Sequence, residues 1–272
     1  MRRRSRPAAI VAIGALALAS CGRTPAPSVE DPTKTRSEVR ALYVREAEAP
    51  AAVKAGGAVE VLVRGDLPNP GWKFLRWEIR ETEGGARRTW IVTPLIVNTL
   101  GPGEMVAQVV VPFEGVARFD APAAPGRIAV DVRGFAPEET LRREVEVVPA
   151  STFLVMTVSG GFAGISDRVA VTEDGSITAS RSLDGASAAG RLTTDEMAAL
   201  QAARDAAGLP SLKPHYLYIF AADLFLYEII DLAGTKPIQV IAHELAMPAS
   251  LASLVHLLKE KADALLGPTG PR

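Results

Sequence analysis

The chain predicts two architectures in series: an all-β sandwich over residues 41–149, then an α+β domain over residues 150–272, a mostly antiparallel sheet with two helices. Three observations carry this. The first half breaks into short apolar segments separated by glycine and proline, at the spacing of strands rather than helices. The second half contains a helix-start signature, Thr193-Thr194-Asp195-Glu196, and it closes on leucines at helical spacing.

Residues 1–20 do not belong to either architecture. Met1-Arg2-Arg3-Arg4-Ser5-Arg6 is a basic start, followed by an apolar segment over residues 7–19 that is too short to span a bilayer of about 20 helical residues. This is the form of a secretory signal peptide. It ends in Leu18-Ala19-Ser20-Cys21-Gly22, which resembles a bacterial lipobox, where small residues fit the signal peptidase and the cysteine takes the lipid. Cys21 is the only cysteine in the chain, so it forms no internal disulfide and completes no multi-cysteine metal site. Lipidation is its expected use. Acyl chains, each CH2 burying about 0.8 kcal/mol, then hold the protein in the cell envelope, on a membrane outside the cytoplasm. Residues 21–40, with Pro25, Pro27 and Pro32, are expected to be a flexible tether.

In the first architecture, Val59-Glu60-Val61-Leu62-Val63 alternates as a half-buried strand does, and residues 65–71 break it with Pro68 and Pro70. Apolar segments follow at residues 74–79, 90–97, 105–113, 116–119, 128–132 and 141–148. Gly84-Gly85, Gly101-Pro102-Gly103 and Pro125-Gly126 separate them. About seven short strands read as an immunoglobulin-like sandwich, without the cysteine pair of antibody domains. Trp77, with Leu75 and Ile79, is expected between the sheets, whereas Trp72 in the proline-rich loop is expected to be exposed and a candidate contact residue.

The register changes at Pro149-Ala150-Ser151. Residues 153–158 read as a strand, 167–172 as its return, and Asp174-Gly175 as a tight turn needing positive φ at both central residues. Residues 181–190 read as a long connection. Thr193 and Glu196 form a capping box for a helix over residues 194–207, stopped by Gly208 and Pro210. Strand character resumes at residues 215–221, 224–231 and 237–243, with the first two turning through Ala221-Ala222-Asp223. Pro248 then opens a helix whose Leu251, Leu254, Val255, Leu258, Ala262 and Leu265 form one apolar stripe.

One stretch stands apart. Between the first two strands of this domain lies Ser159-Gly160-Gly161-Phe162-Ala163-Gly164. With the capped helix, the strand Asp223-Leu224-Phe225-Leu226-Tyr227-Glu228-Ile229 and the closing leucine helix, in that order, residues 153–266 resemble the emfourin family. Those proteins inhibit thermolysin-like zinc metallopeptidases. The resemblance implies a domain that binds such a peptidase and inhibits it. From residue types alone, Phe162 between glycines suits an apolar pocket in an extended cleft, and Ser159, Gly160, Gly161, Ala163 and Gly164 complete the candidate protein-binding loop. The same glycines equally serve a plain turn, with Phe162 folded back over the sheet. Emfourin is a single domain, whereas this copy follows a sandwich and an anchor.

Other functions find little support. A net charge of −1 without a basic stripe lacks the footprint of nucleic-acid binding. His215, His243 and His256 show no metal-ligand spacing, and neither a Gly-x-Ser-x-Gly elbow nor a phosphate loop is present. Asp223 and Glu228 read as a turn and a solvated strand face. The expectation is a non-enzyme without catalytic residues, metal or cofactor. Its partner is a thermolysin-like metallopeptidase or another envelope protein. The alternative is a non-inhibitory adhesion or assembly lipoprotein made of two interaction modules.

Overall fold

The computed structural model describes residues 38–83, 88–101, 103–136, 140–161, 164–218 and 224–267. The expected signal peptide, Cys21 and nearly all of the expected tether lie outside these residues, as do Phe162, Ala163 and the segment 219–223 with Asp223. The described residues are mostly β, with three sheets and two α-helices, both helices in the C-terminal part.

Two sheets use the strands before residue 149. They are β1 (Val39–Ala41), β2 (Tyr43–Glu48), β3 (Ala52–Lys54), β4 (Ala58–Leu67), β5 (Trp72–Glu83), β6 (Arg88–Asn98), β7 (Val111–Asp120), β8 (Gly126–Arg133) and β9 (Thr140–Val148). The first sheet runs β1-β6-β8-β9-β3, with β5 along the other edge of β6, and the second runs β2-β4-β7. They face each other across one core. Val59, Val61 and Val63 of β4 point inward with no exposed surface, against Trp90, Val92, Val130, Val132, Val145 and Val147 of the first sheet. Each such side chain contributes about 1.5–3 kcal/mol by leaving water.

Several expectations change here. The first strand begins at Val39, inside the segment expected as tether. β2 was not legible, because a bulge between Val44 and Glu46 puts its two buried residues, Val44 and Ala47, three apart and destroys the alternation. Residues 104–110 are not strand, and β7 instead starts at Val111 and runs unbroken from the end of the segment expected at 105–113 through that expected at 116–119. Gly65 lies inside β4 rather than in a break: a Cβ there would sit 2.2 Å from the Tyr43 carbonyl oxygen, so β2 can approach only a glycine. Trp72 is buried, 6% exposed, against Leu42 and Ile96, and is not a contact residue. Leu75 falls on a bulge between Phe74 and Arg76 and turns outward, while Trp77 and Ile79 pack on the core as expected.

The third sheet takes the rest. Its strands are β10 (Thr152–Gly160), β11 (Ile165–Thr172), β12 (Ser176–Ser180), β13 (Ser187–Arg191), β14 (His215–Tyr216), β15 (Phe225–Asp231) and β16 (Ile238–His243), in the order β13-β12-β11-β10-β15-β16-β14. Helices α1 (Thr194–Ala207) and α2 (Ala249–Leu266) cover one face. Thr193 Oγ1 accepts from the Glu196 N–H at 3.2 Å and the Glu196 carboxylate accepts from the Thr193 N–H at 2.8 Å, the reciprocal cap expected from sequence. Leu251, Leu254, Val255, Leu258 and Ala262 of α2 are buried, with Pro248 at the N-cap.

Three local readings are corrected. The turn after β11 has three residues and only Gly175 has positive φ, +84°; Asp174 instead uses its carboxylate to hold Thr172 and Ser176. The long connection contains β13, a strand of small residues that lets α2 come close, since a Cβ on Gly190 would lie 2.5 Å from Leu265. β14 does not form a hairpin with β15; it pairs in parallel with the far edge of β16.

The helix-free face of the third sheet meets the first sheet. Val155, Ala170, Ile230 and Leu232 form an apolar cluster with Ala52 and Val148. Arg168 holds Glu146 with two 2.8 Å contacts, and Lys54–Glu173 and Lys236–Glu60 lie at 3.1 and 3.2 Å. Residues 149–151 are all that separates β9 from β10, and Ser37–Arg272 forms one compact unit.

Candidate functional site

The strand register places the glycine stretch at one end of the third sheet. Gly160 pairs with Ile165 in β11 and with Phe225 in β15, and β16 brings His243 opposite Leu226 in the next row. β14 runs parallel to β16, so Leu217 and Tyr218 continue to the same end. The short 3-10 turn Glu244–Ala246 follows His243 there. The other end of these strands carries Asp231 and Ile238, next to the residues packed on the first sheet. The glycine end lies away from that cluster.

Its backbone is tightly specified. Gly160, Gly161 and Gly164 have φ of +106°, +68° and +58°, values that side chains resist, and the Gly164 N–H donates to the Gly161 carbonyl at 3.0 Å. A Cβ on Gly160 would lie 2.6 Å from the Leu224 carbonyl oxygen, and one on Gly161 2.9 Å from the Phe225 ring. Both glycines are therefore required by close approach as well as by φ. Ser159 is the last regular residue before them, half-buried on the open face. Phe162 and Ala163 were expected to complete this loop and lie outside the described residues.

Farther along the same end, beyond β15, apolar side chains are exposed. Leu217, Tyr218 and Leu245 are 54%, 42% and 65% exposed. The Tyr218 N–H donates to His243 Nδ1 at 2.8 Å, which ties the 217–218 segment to β16. Sequence reasoning missed these three residues. Leu217 and Tyr218 fell within the strand expected at 215–221 and Leu245 just beyond that at 237–243, positions where an apolar side chain does not tell exposed from buried.

Beneath this end lies a row of polar residues. Glu228 is half-buried in the sheet, not solvated as expected, and its carboxylate accepts from Gln239 Nε2 at 2.5 Å. Burial pushes its pKa above the usual range, opposed by that hydrogen bond. Gln239 Oε1 in turn accepts from the Ala51 N–H at 3.4 Å, so the row is connected to the first sheet's strands. Behind the hairpin, between α2 and the sheet, a cavity of about 60 Å³ is lined by Val158, Ile165, Phe225, Tyr227 and Leu266. That is well below the 300–1,000 Å³ typical of ligand pockets. Arg181, 6% exposed, closes it by donating to the Gly267 carbonyl at 3.2 Å and pairing with Asp184 and Asp263.

Among the described residues no group of three histidine, cysteine, aspartate or glutamate side chains is placed to hold a metal ion, and His215 and His256 are exposed on separate elements. The arrangement offers a strand end shaped by positive-φ glycines and exposed apolar side chains, chemistry suited to a protein contact. Compared with known proteins, the sequence matches no family model and no curated protein significantly.

Proposed function

We propose that this is a membrane-anchored envelope lipoprotein whose C-terminal part binds and inhibits a thermolysin-like zinc metallopeptidase through the glycine end of its third sheet. The observation that carries the reading is the strand end with three positive-φ glycines, which shares its end of the sheet with exposed Leu217, Tyr218 and Leu245 and lies away from the cluster packed on the first sheet. A peptidase cleft takes extended backbone and seats an apolar side chain in its specificity pocket, and a segment held in shape beforehand loses little freedom on binding. The emfourin-like order of elements over residues 153–266 supports the same target, and the lipobox at Cys21 supports the anchor. In this reading the first two sheets are an immunoglobulin-like sandwich that carries the inhibitory part.

Titration of a thermolysin-like peptidase with the lipid-free mature chain tests it. Loss of peptide hydrolysis at micromolar protein is expected, and Gly160→Val weakens the effect by about tenfold or more because its Cβ displaces the Leu224 carbonyl. No inhibition and no complex at that concentration removes the reading.

A second reading, a non-inhibitory adhesion or assembly lipoprotein, is favoured by the Arg168–Glu146 and Lys236–Glu60 pairs, which join both parts into one body with a composite surface. Capture from envelope extract separates the two: a peptidase favours the first, a structural envelope protein the second.

A further inference from the structure

The first two sheets carry exposed apolar side chains at the end remote from their contact with the third sheet. Strand register puts Val39 beside Val97, Tyr43 beside Asp66 and Val111 beside Leu67, all at the end remote from Ala52 and Val148. Exposed apolar side chains gather there: Val39, Tyr43, Met105, Val109, Val110 and Phe135 are 48%, 51%, 96%, 59%, 58% and 54% exposed. Tyr43, Leu67, Pro68, Val110 and Phe135 line a cleft of about 440 Å³. At its wall the Arg40 guanidinium lies 4.3 Å from the centre of the Trp72 ring and 4.7 Å from that of Phe135. A patch of this kind on a water-soluble surface marks a contact.

The position of the chain decides which contact. Glu38 leads into β1 at this same end, and Cys21 precedes it by only 17 residues, a reach of about 50–60 Å when fully extended. We infer that this end is a membrane-contacting tip: Met105, Val109, Val110 and Phe135 enter the lipid interface, with Arg40 and Tyr43 at headgroup level. Aromatic and cationic side chains with apolar stems suit that depth, and a shallow apolar insertion adds to an acyl anchor. The inference rests on the lipid-anchor reading above for its geometry.

The anchored protein tests it directly. Lipidation consumes the thiol of the only cysteine, so Met105→Cys introduces a unique labelling site, and Leu245→Cys provides the control at the glycine end. In vesicles of phosphatidylethanolamine and phosphatidylglycerol, a nitroxide at 105 is expected to become oxygen-accessible and shielded from a water-soluble nickel complex. The label at 245 stays water-exposed. Equal exposure of the two labels to the nickel complex overturns the inference. So does a self-associated species in which residue 105 is covered by a second copy. The mass of the N-terminal peptide reports separately on lipidation, so a missing anchor is recognised as such. In that event the chain from Gly22 onward, which retains all of Ser37–Arg272, still decides the tip. Binding to the same vesicles that M105D/V109D/V110D reduces about tenfold supports it, and no binding overturns it.

Discussion

Two carboxylates with opposite surroundings make the residue-scale chemistry testable. Glu196 accepts from the Thr193 N–H, then from Lys261 and the Thr193 hydroxyl, and these hold its pKa down to about 2. A depressed carboxylate stabilises the fold while ionised, and that contribution is lost as pH falls from about 4.5 through about 2. Glu196→Gln is therefore expected to be less stable than the parent at pH 7, with the gap in urea midpoint shrinking as pH drops through that window. Glu228 is the reverse case. Its pKa is raised by burial, so its contribution is present in acid and lost as pH rises through the folded value. Glu228→Gln, which resembles the protonated form, is expected to raise the midpoint at pH 8 and to converge on the parent in acid. Glu228 was misread as solvated because alternation marks which face a side chain takes, not what covers that face. Here Gln239 and the neighbouring strands remove the water.

At the scale of elements, helices were legible and edge strands were not. The box at Thr193 and the stripe from Leu251 each need only local sequence, and both helices stand where these signals put them. Thr193→Ala removes the side-chain half of the box and should cost about 1 kcal/mol, or about 2–4 °C in a thermal melt read by far-ultraviolet circular dichroism. β3 and β14 have three and two residues, and their pairing comes from partners farther along the chain, β9 and β16, while β13 pairs with its neighbour β12 but shows no apolar alternation in Ser-Ala-Ala-Gly-Arg. No local pattern encodes that. The hairpin of the candidate site is intermediate. Its glycines were visible as a turn, but the reason for two of them, the Leu224 carbonyl and the Phe225 ring, comes from a strand some 60 residues on in sequence.

Over the whole molecule, the junction between the first and third sheets sets how the free ends are used. Ala52, Val148, Val155, Ala170, Ile230 and Leu232 are all nearly or fully buried, and the bidentate Arg168–Glu146 pair seals the edge of this cluster. The two parts are expected to unfold in one calorimetric transition. Ala52→Glu places an unpaired charge in the cluster, and should lower the transition by about 2–4 kcal/mol and resolve it into two. None of this junction was legible in the sequence, since Val155 and Ile230 look the same whether they face a helix or another sheet. Hydrogen exchange on a mixture with a thermolysin-like metallopeptidase tests most directly whether the glycine end, away from this junction, is the contact surface. The account predicts slowed exchange at Gly160, Gly161, Gly164, Leu217, Tyr218 and Leu245, while the segment 104–110 is unchanged. Unaltered exchange throughout, or protection confined to residues outside that end, would contradict it.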